Sequence, residues 1–288
     1  MNDLPFSLGF KLSLGWREQQ MRGQLPPARG EVYDLLRRRG FDYFEFGVGA
    51  CKEQDEVLLI RREAAACAEC GLGVALHPYL EGPDNPAAFG ETAESAGAVE
   101  SVLAAASTAG SISGGPVTLV LHPAEWPYEP DTEDLAAARR RLLTRSQDFF
   151  VALAECAVAL HPQAQPVVEH QVPPAPGERM LRIGDTYAEL LEVVAGTDLG
   201  ICWDTGHYLL SVERHGQAER PPVEFLRRVE AVHLHDVVAG RDHSLISLQS
   251  DRLRDYVQML LGSGFRGNVT LEYSGEAIRS GGSFERVL

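Results

Sequence analysis

Eight short apolar runs, separated by longer helix-like stretches from one end of the chain to the other, constrain this sequence more than any other feature. They are residues 8–14 (LGFKLSL), 43–48 (YFEFGV), 73–77 (GVALH), 117–122 (VTLVLH), 166–170 (PVVEH), 199–203 (LGICW), 231–235 (AVHLH) and 269–273 (VTLEY). Runs this short, apolar throughout and bounded by turn residues, read as strands buried on both faces. Helices are expected at 31–39, stopped by Gly40 with Arg37, Arg38 and Arg39 in the last turn, and at 55–70, stopped by Gly71. Further helices are expected in an Ala-rich stretch ending near Ala109, in a long amphipathic run to about Leu160 capped from Asp131 to Glu133, and at 186–195 and 253–261. The expected fold class is α/β: a (β/α)8 TIM barrel forming one domain over residues 1–288. An open doubly wound sheet gives no reason for eight units.

The formal net charge of −15 argues against a polyanionic partner, because phosphate contacts need clustered Lys and Arg. Nucleic acid is therefore an unlikely ligand and a small molecule the expected one; nothing here fixes an oligomeric state. Cys51, Cys67, Cys70, Cys156 and Cys202 form no regular framework, and the start MNDLPFSLGF has no basic region before a long apolar core. The expectation is a cytoplasmic protein with free thiols. Cys67 and Cys70 form a CxxC, but on a predicted helix with no second pair, which makes structural thiols the simpler reading. No apolar run approaches the roughly 20 residues a membrane helix needs.

In a barrel of this kind the C-terminal ends of the strands form one face, where active sites are built. The third run ends in His77, the fourth in His122, and the fifth in Glu169 and His170. The sixth runs into Asp204, with His207 across a glycine turn; the seventh carries His233, His235 and Asp236, and the eighth Glu272. Carboxylates buried together at a barrel mouth cost several kcal/mol unless a cation compensates them. Glu169, Asp204, His233 and Glu272 are therefore expected to share a metal ion. If the sixth strand stays regular, alternation sends Cys202 and Asp204 to one face and Trp203 to the other.

The succession VVEH, CWDTGH, VHLHD and VTLEY resembles the xylose-isomerase-like barrel superfamily, which contains sugar phosphate isomerases and epimerases and the endonuclease IV enzymes. The resemblance covers most of the chain and implies a divalent-metal-dependent sugar isomerase or epimerase. One Mn, Zn, Co or Mg ion would be held by Glu169, Asp204, His233 and Glu272. His233 takes precedence over His235 because the family's ligand precedes an acidic residue by three, as His233 precedes Asp236. The resemblance further implies that the metal stabilises an enediolate while Glu169 and Glu272, on opposite faces of the substrate, exchange roles as base and acid. His207, Arg241 and His235 would contact substrate oxygens. Apart from the resemblance, Trp126 and Tyr128, after the fourth run, have two equal readings, stacking on a sugar ring or packing in an exposed loop.

The endonuclease IV branch holds three zinc ions, and His77, His122, His207, Asp242 and His243 fall where its additional ligands lie. Its usual Gly-x-Gly is here replaced at 247–250 by SLQS, and Asp242 and His243 are adjacent rather than separated by one residue. A zinc phosphodiesterase acting on abasic DNA is the alternative function; a metal-binding homologue without turnover is another, and dehydration of a cyclic polyol ketone would use similar chemistry. Specificity is expected from the loops at 16–28, 79–89, 123–130 and 171–183, with 172–178 (VPPAPGE) a mobile loop.

Overall fold

The computed structural model describes residues 5–13, 29–49, 51, 54–80, 85–90, 92–129, 134–247 and 249–281. The expected loop at 16–28, parts of those at 79–89 and 123–130, and the expected cap at 131–133 lie outside the described residues.

Eight parallel strands close into a barrel: β1 (Ser7–Ser13), β2 (Tyr43–Val48), β3 (Gly73–Pro78), β4 (Val117–Leu121), β5 (Ala164–Glu169), β6 (Gly200–Asp204), β7 (Val229–Leu234) and β8 (Asn268–Leu271). Each pairs with its neighbour in chain order, and β1 closes the ring by pairing with β8, Ser7 opposite Asn268 and Phe10 opposite Leu271. The strands lie where the apolar runs predict, but their ends follow the hydrogen-bond ladder. Thus β5 begins early, at Ala164 and Gln165, because these pair with Val117 and Thr118. His122, His170, His235 and Glu272 fall one step beyond the last residue of their strands, at the start of βα loops.

The helices are α1 (Arg29–Arg39), α2 (Gln54–Glu69), α3 (Ala93–Ser113), α4 (Leu135–Leu160), α5 (Tyr187–Val193), α6 (Thr205–His215), α7 (Val223–Arg228), α8 (Asp251–Ser263) and α9 (Gly275–Ser280). Two expectations are corrected. The cap of α4 is Asp134, whose carboxylate accepts the Ala137 N–H at 2.8 Å. Helix α3 runs past Ala109 to Ser113 because Gly110 is not a stop: a Cβ there would lie 2.8 Å from the Gly115 carbonyl, so glycine serves close packing.

The main core lies between strands and helices. Trp203 is fully buried, with its ring edge-on to Tyr208 of α6 at 5.7 Å and Tyr256 of α8 at 5.4 Å. Cys202 instead joins Val120, Val167 and Ala231 in a separate small cluster, as the alternation along β6 requires. Arg139 ties α4 to α5 by a two-pronged bond to Glu189 (2.6 and 2.7 Å) and a further bond to the buried Asp185.

Two small antiparallel ribbons decorate the C-terminal rim: Glu125–Pro127 with Met180–Arg182, and Asp236–Val238 with Arg241–Ser244. The loop at 172–178 makes polar contacts of its own. Glu178 accepts the Ala175 N–H at 2.8 Å and a bond from Arg182 at 2.6 Å, and Arg214 donates to the Pro173 carbonyl at 2.5 Å. All five cysteines are free thiols, and no described helix is long and apolar enough to cross a membrane.

Candidate metal centre and active site

The sixth strand delivers the central carboxylate. Asp204 ends β6 and caps α6, its Oδ1 accepting the His207 N–H at 2.7 Å. Its Oδ2 accepts from His235 Nε2 at 2.9 Å, because His235 Nδ1 takes the His243 backbone N–H at 2.8 Å and so leaves the ring proton on Nε2. Gly206 makes this possible. A Cβ there would sit 2.0 Å from His235 Cε1, and the imidazole, fully buried and stacked on His243 at 4.3 Å between centroids, has nowhere to go. Gly206→Ala is expected to cost ~1–3 kcal/mol by overpacking and to weaken metal binding as His235 leaves Asp204. An unchanged melting temperature and metal affinity would show that the ring has room.

Around His233 the predicted set assembles. Its Nδ1 lies 2.7 Å from Glu272 Oε2, 3.3 Å from Glu169 Oε1 and 3.9 Å from Asp204 Oδ2. Its other nitrogen, Nε2, faces Glu45 at 3.0 and 3.3 Å, and Glu45 in turn accepts from Thr270 Oγ1 at 2.7 Å, which is paired with the Tyr43 hydroxyl at 2.6 Å. A carboxylate behind an imidazole is the arrangement that orients a metal-ligating histidine. Three buried carboxylate oxygens facing one imidazole nitrogen need a cation among them. The pull of these groups shows on the ring: burial alone would lower the His233 pKa, but Cys202 and the carboxylates of Glu45, Glu272 and Glu169 raise it well above the usual imidazole range. Apart from its 2.7 Å ion-pair contact with His233 Nδ1, Glu272 Oε2 has no hydrogen-bond partner among the described residues, which fits an oxygen reserved for a metal. The donor set, mixed oxygen and nitrogen, fits a divalent ion.

The two glutamates are ionised. Burial would raise both carboxyls, but His233, His77 and His122 hold Glu169 well below the carboxylate range, and Lys11, His233 and His243 do the same for Glu272. Lys11, from β1, donates to Glu272 Oε1 at 2.5 Å and contacts His77 Nδ1. Neither Lys11 nor Glu45 is among the residues expected from sequence. Each is a lone charge inside an apolar run and nearly inaccessible to solvent, which is the signal that could have found them.

His77 Nε2, His122 Nε2 and Glu169 Oε2 also converge, 3.0 to 3.2 Å apart. Burial and the Lys11 cation push His77 down to about 4, so its imidazole is neutral at pH 7. His207 Nδ1 donates to the His170 carbonyl at 2.8 Å, leaving Nε2 directed at the mouth, 3.8 Å from Asp242 Oδ2. His243 Nε2 donates to Glu272 Oε1 at 3.1 Å; its burial is outweighed by Glu272 and Asp242, which raise it to about 10.

Three expected substrate contacts are corrected. Arg241 is not brought to the mouth: it is largely exposed and pairs with Glu276 at 3.0 Å, because the hairpin at 236–244 turns it outward. His235 is wholly buried and engaged by Asp204 and His243, so it positions rather than binds. Trp126 packs edge-on to Phe89 at 5.5 Å, while Glu125, the preceding residue of its short strand, faces the mouth and pairs with Arg182 at 3.1 Å. The mouth is a cavity of about 300 Å³, lined by both glutamates, His77, His122, His207 and His243, with Tyr79, Gln171 and Arg182 on its walls.

A family model described as xylose isomerase-like TIM barrel matches residues 33–285. No curated protein matches in sequence. Among solved structures, a 3-keto-D-glucoside 4-epimerase from E. coli superposes with a TM-score of 0.62 at 16% identity, covering 96% of this chain and 97% of that one. An L-ribulose 3-epimerase superposes at 0.61 and 18% identity, covering 94% and 82%. A D-psicose 3-epimerase solved with D-fructose superposes at 0.64 and 14% identity, covering 98% and 94%. At these identities the likeness is one of fold.

Proposed function

This chain belongs to the xylose isomerase-like TIM-barrel family, and we propose that it is a divalent-metal-dependent isomerase or epimerase of a small sugar or related polyol-derived carbonyl compound. The observation that carries the proposal is the convergence on His233 Nδ1 of one oxygen each from Glu169, Asp204 and Glu272, all within 3.9 Å. These four residues would hold Mn, Zn, Co or Mg, which when bound supplies Lewis-acid stabilisation of negative charge on the substrate's oxygens.

The remaining chemistry belongs to the chain. Glu169 and Glu272 reach the mouth from β5 and the end of β8, both ionised, and so can each accept a carbon-bound proton next to a carbonyl. The imidazoles of His122 and His243 sit 3.2 and 3.1 Å from these carboxylates and hold them in place. With its ring proton on Nδ1, His207 Nε2 is placed to accept from a substrate hydroxyl. The ribbon joining residues 125–127 to 180–182 walls one side of the mouth. The names of the fold neighbours, three sugar epimerases, support the same substrate class. We further propose that residues 1–288 act as one domain.

The test is elemental analysis of protein purified without chelator, followed by a ketose panel in D2O. One metal per chain with deuterium entering a carbon-bound position is the expected result. Metal with substrate-analogue binding but no exchange would favour a homologue without turnover. The zinc phosphodiesterase reading draws on the convergence of His77, His122 and Glu169 and on His207, Asp242 and His243 beside it at the mouth; two or three zinc ions with nicking of abasic duplexes would establish it.

A further inference from the structure

We propose that Lys11 limits this barrel to a single metal ion by closing the position that His77, His122 and Glu169 otherwise offer to a second. The inference extends the single-ion reading above. His77 Nε2, His122 Nε2 and Glu169 Oε2 stand 3.0, 3.2 and 3.2 Å from one another. Ligand atoms about 2.1 Å from one ion lie roughly 3.0–3.4 Å apart, so spacing alone would admit a metal there. The other nitrogen of His77 decides the matter.

His77 Nδ1 is in hydrogen-bond contact with Lys11 Nζ. An ammonium has three donors and no acceptor, so Nδ1 must supply the lone pair and the ring proton must sit on Nε2. An Nε2–H has no lone pair for a metal; it donates to His122 Nε2 or Glu169 Oε2. The other imidazoles behave oppositely. His233 Nε2 faces Glu45, and His207 Nδ1 donates to the His170 carbonyl, so in each the far nitrogen carries the proton and the near one is free to ligate. His77 alone among these three has a donor behind it.

Lys11 cannot easily swing away. Its side chain is buried, held by Glu272 Oε1 at 2.5 Å and Glu45 Oε1 at 3.8 Å, with Nζ 5.1 Å from the Tyr79 ring centre. Glu45 Oε1 also lies 3.4 Å from His77 Nδ1. Removing the ammonium therefore lets Glu45 take an Nδ1–H and turns His77 into the tautomer that ligates.

The test equilibrates wild type, Lys11→Met and Lys11→Met/His122→Ala with buffered Zn²⁺ and counts zinc per chain. One, two and one equivalents are expected. Two or more in wild type, or no more in Lys11→Met than in wild type, overturns the proposal. If wild type binds none while Lys11→Met gains an ion that His122→Ala removes, the gate stands and the single-ion isomerase reading fails. Ring ¹⁵N shifts of His77 in zinc-loaded wild type, assigned against His77→Asn, give a second readout that needs no stable Lys11 variant: a protonated Nε2 and bare Nδ1 are expected, and the reverse overturns the proposal.

Discussion

Glu169→Gln and Glu272→Gln are each expected to lower the rate of proton exchange at the substrate carbon by ~10³-fold or more while leaving the fold intact. The amide preserves shape and removes two things at once, a proton acceptor and a charged metal ligand. At Glu169 it also sets an NH2 or a weak acceptor against His77 and His122, both about 3.2 Å from Oε2. Asp204→Asn separates the two losses: it keeps the cap on α6 through its side-chain carbonyl and weakens the metal without removing a base. Excess metal should restore much of the Asp204→Asn rate and little of either glutamine variant's. Retained exchange in either glutamine variant, with circular dichroism unchanged, rules out a two-glutamate mechanism.

The second large effect is on stability. Trp203→Ala should cost ~3–5 kcal/mol, because the site is fully buried between Tyr208 and Tyr256 and relaxes little. At roughly 2–4 °C per kcal/mol for a chain of this size, the melting temperature should fall by about 10 °C. Trp203→Phe should lose less than half of that, since Trp203 Nε1 finds no hydrogen-bond partner among the described residues and the smaller ring removes an unsatisfied donor. Comparable losses in the two variants would mean that the indole fills a shape no benzene ring can approach.

The eight strands were legible because a barrel strand is buried on both faces and reads as an unbroken apolar run. The central ligands were legible because they interrupt those runs at their ends. Lys11 and Glu45 escaped because they interrupt runs in the middle, where a lone charge says nothing about its partner; that partner comes from a strand 34 residues away, or, for Glu272, 261 residues away. Arg241 and Trp126 were misplaced for another reason. Each lies in a short strand that exists only through pairing with a rim segment, and the pairing phase sets which face a side chain takes. The start of α4 was misread because several acidic residues precede it, and only backbone geometry selects Asp134.

The ribbon on the rim carries a consequence for how this barrel can change its substrate. Glu125 pairs in register with Arg182, Trp126 with Leu181 and Pro127 with Met180, so the loop after β4 and the loop after β5 share one two-stranded element. A deletion of one residue in either arm would turn every side chain of the pair to the wrong face. The two loops therefore form one structural unit: grafts, insertions and randomised libraries that exchange both arms together keep the wall of the mouth, whereas those that treat them as independent modules discard it.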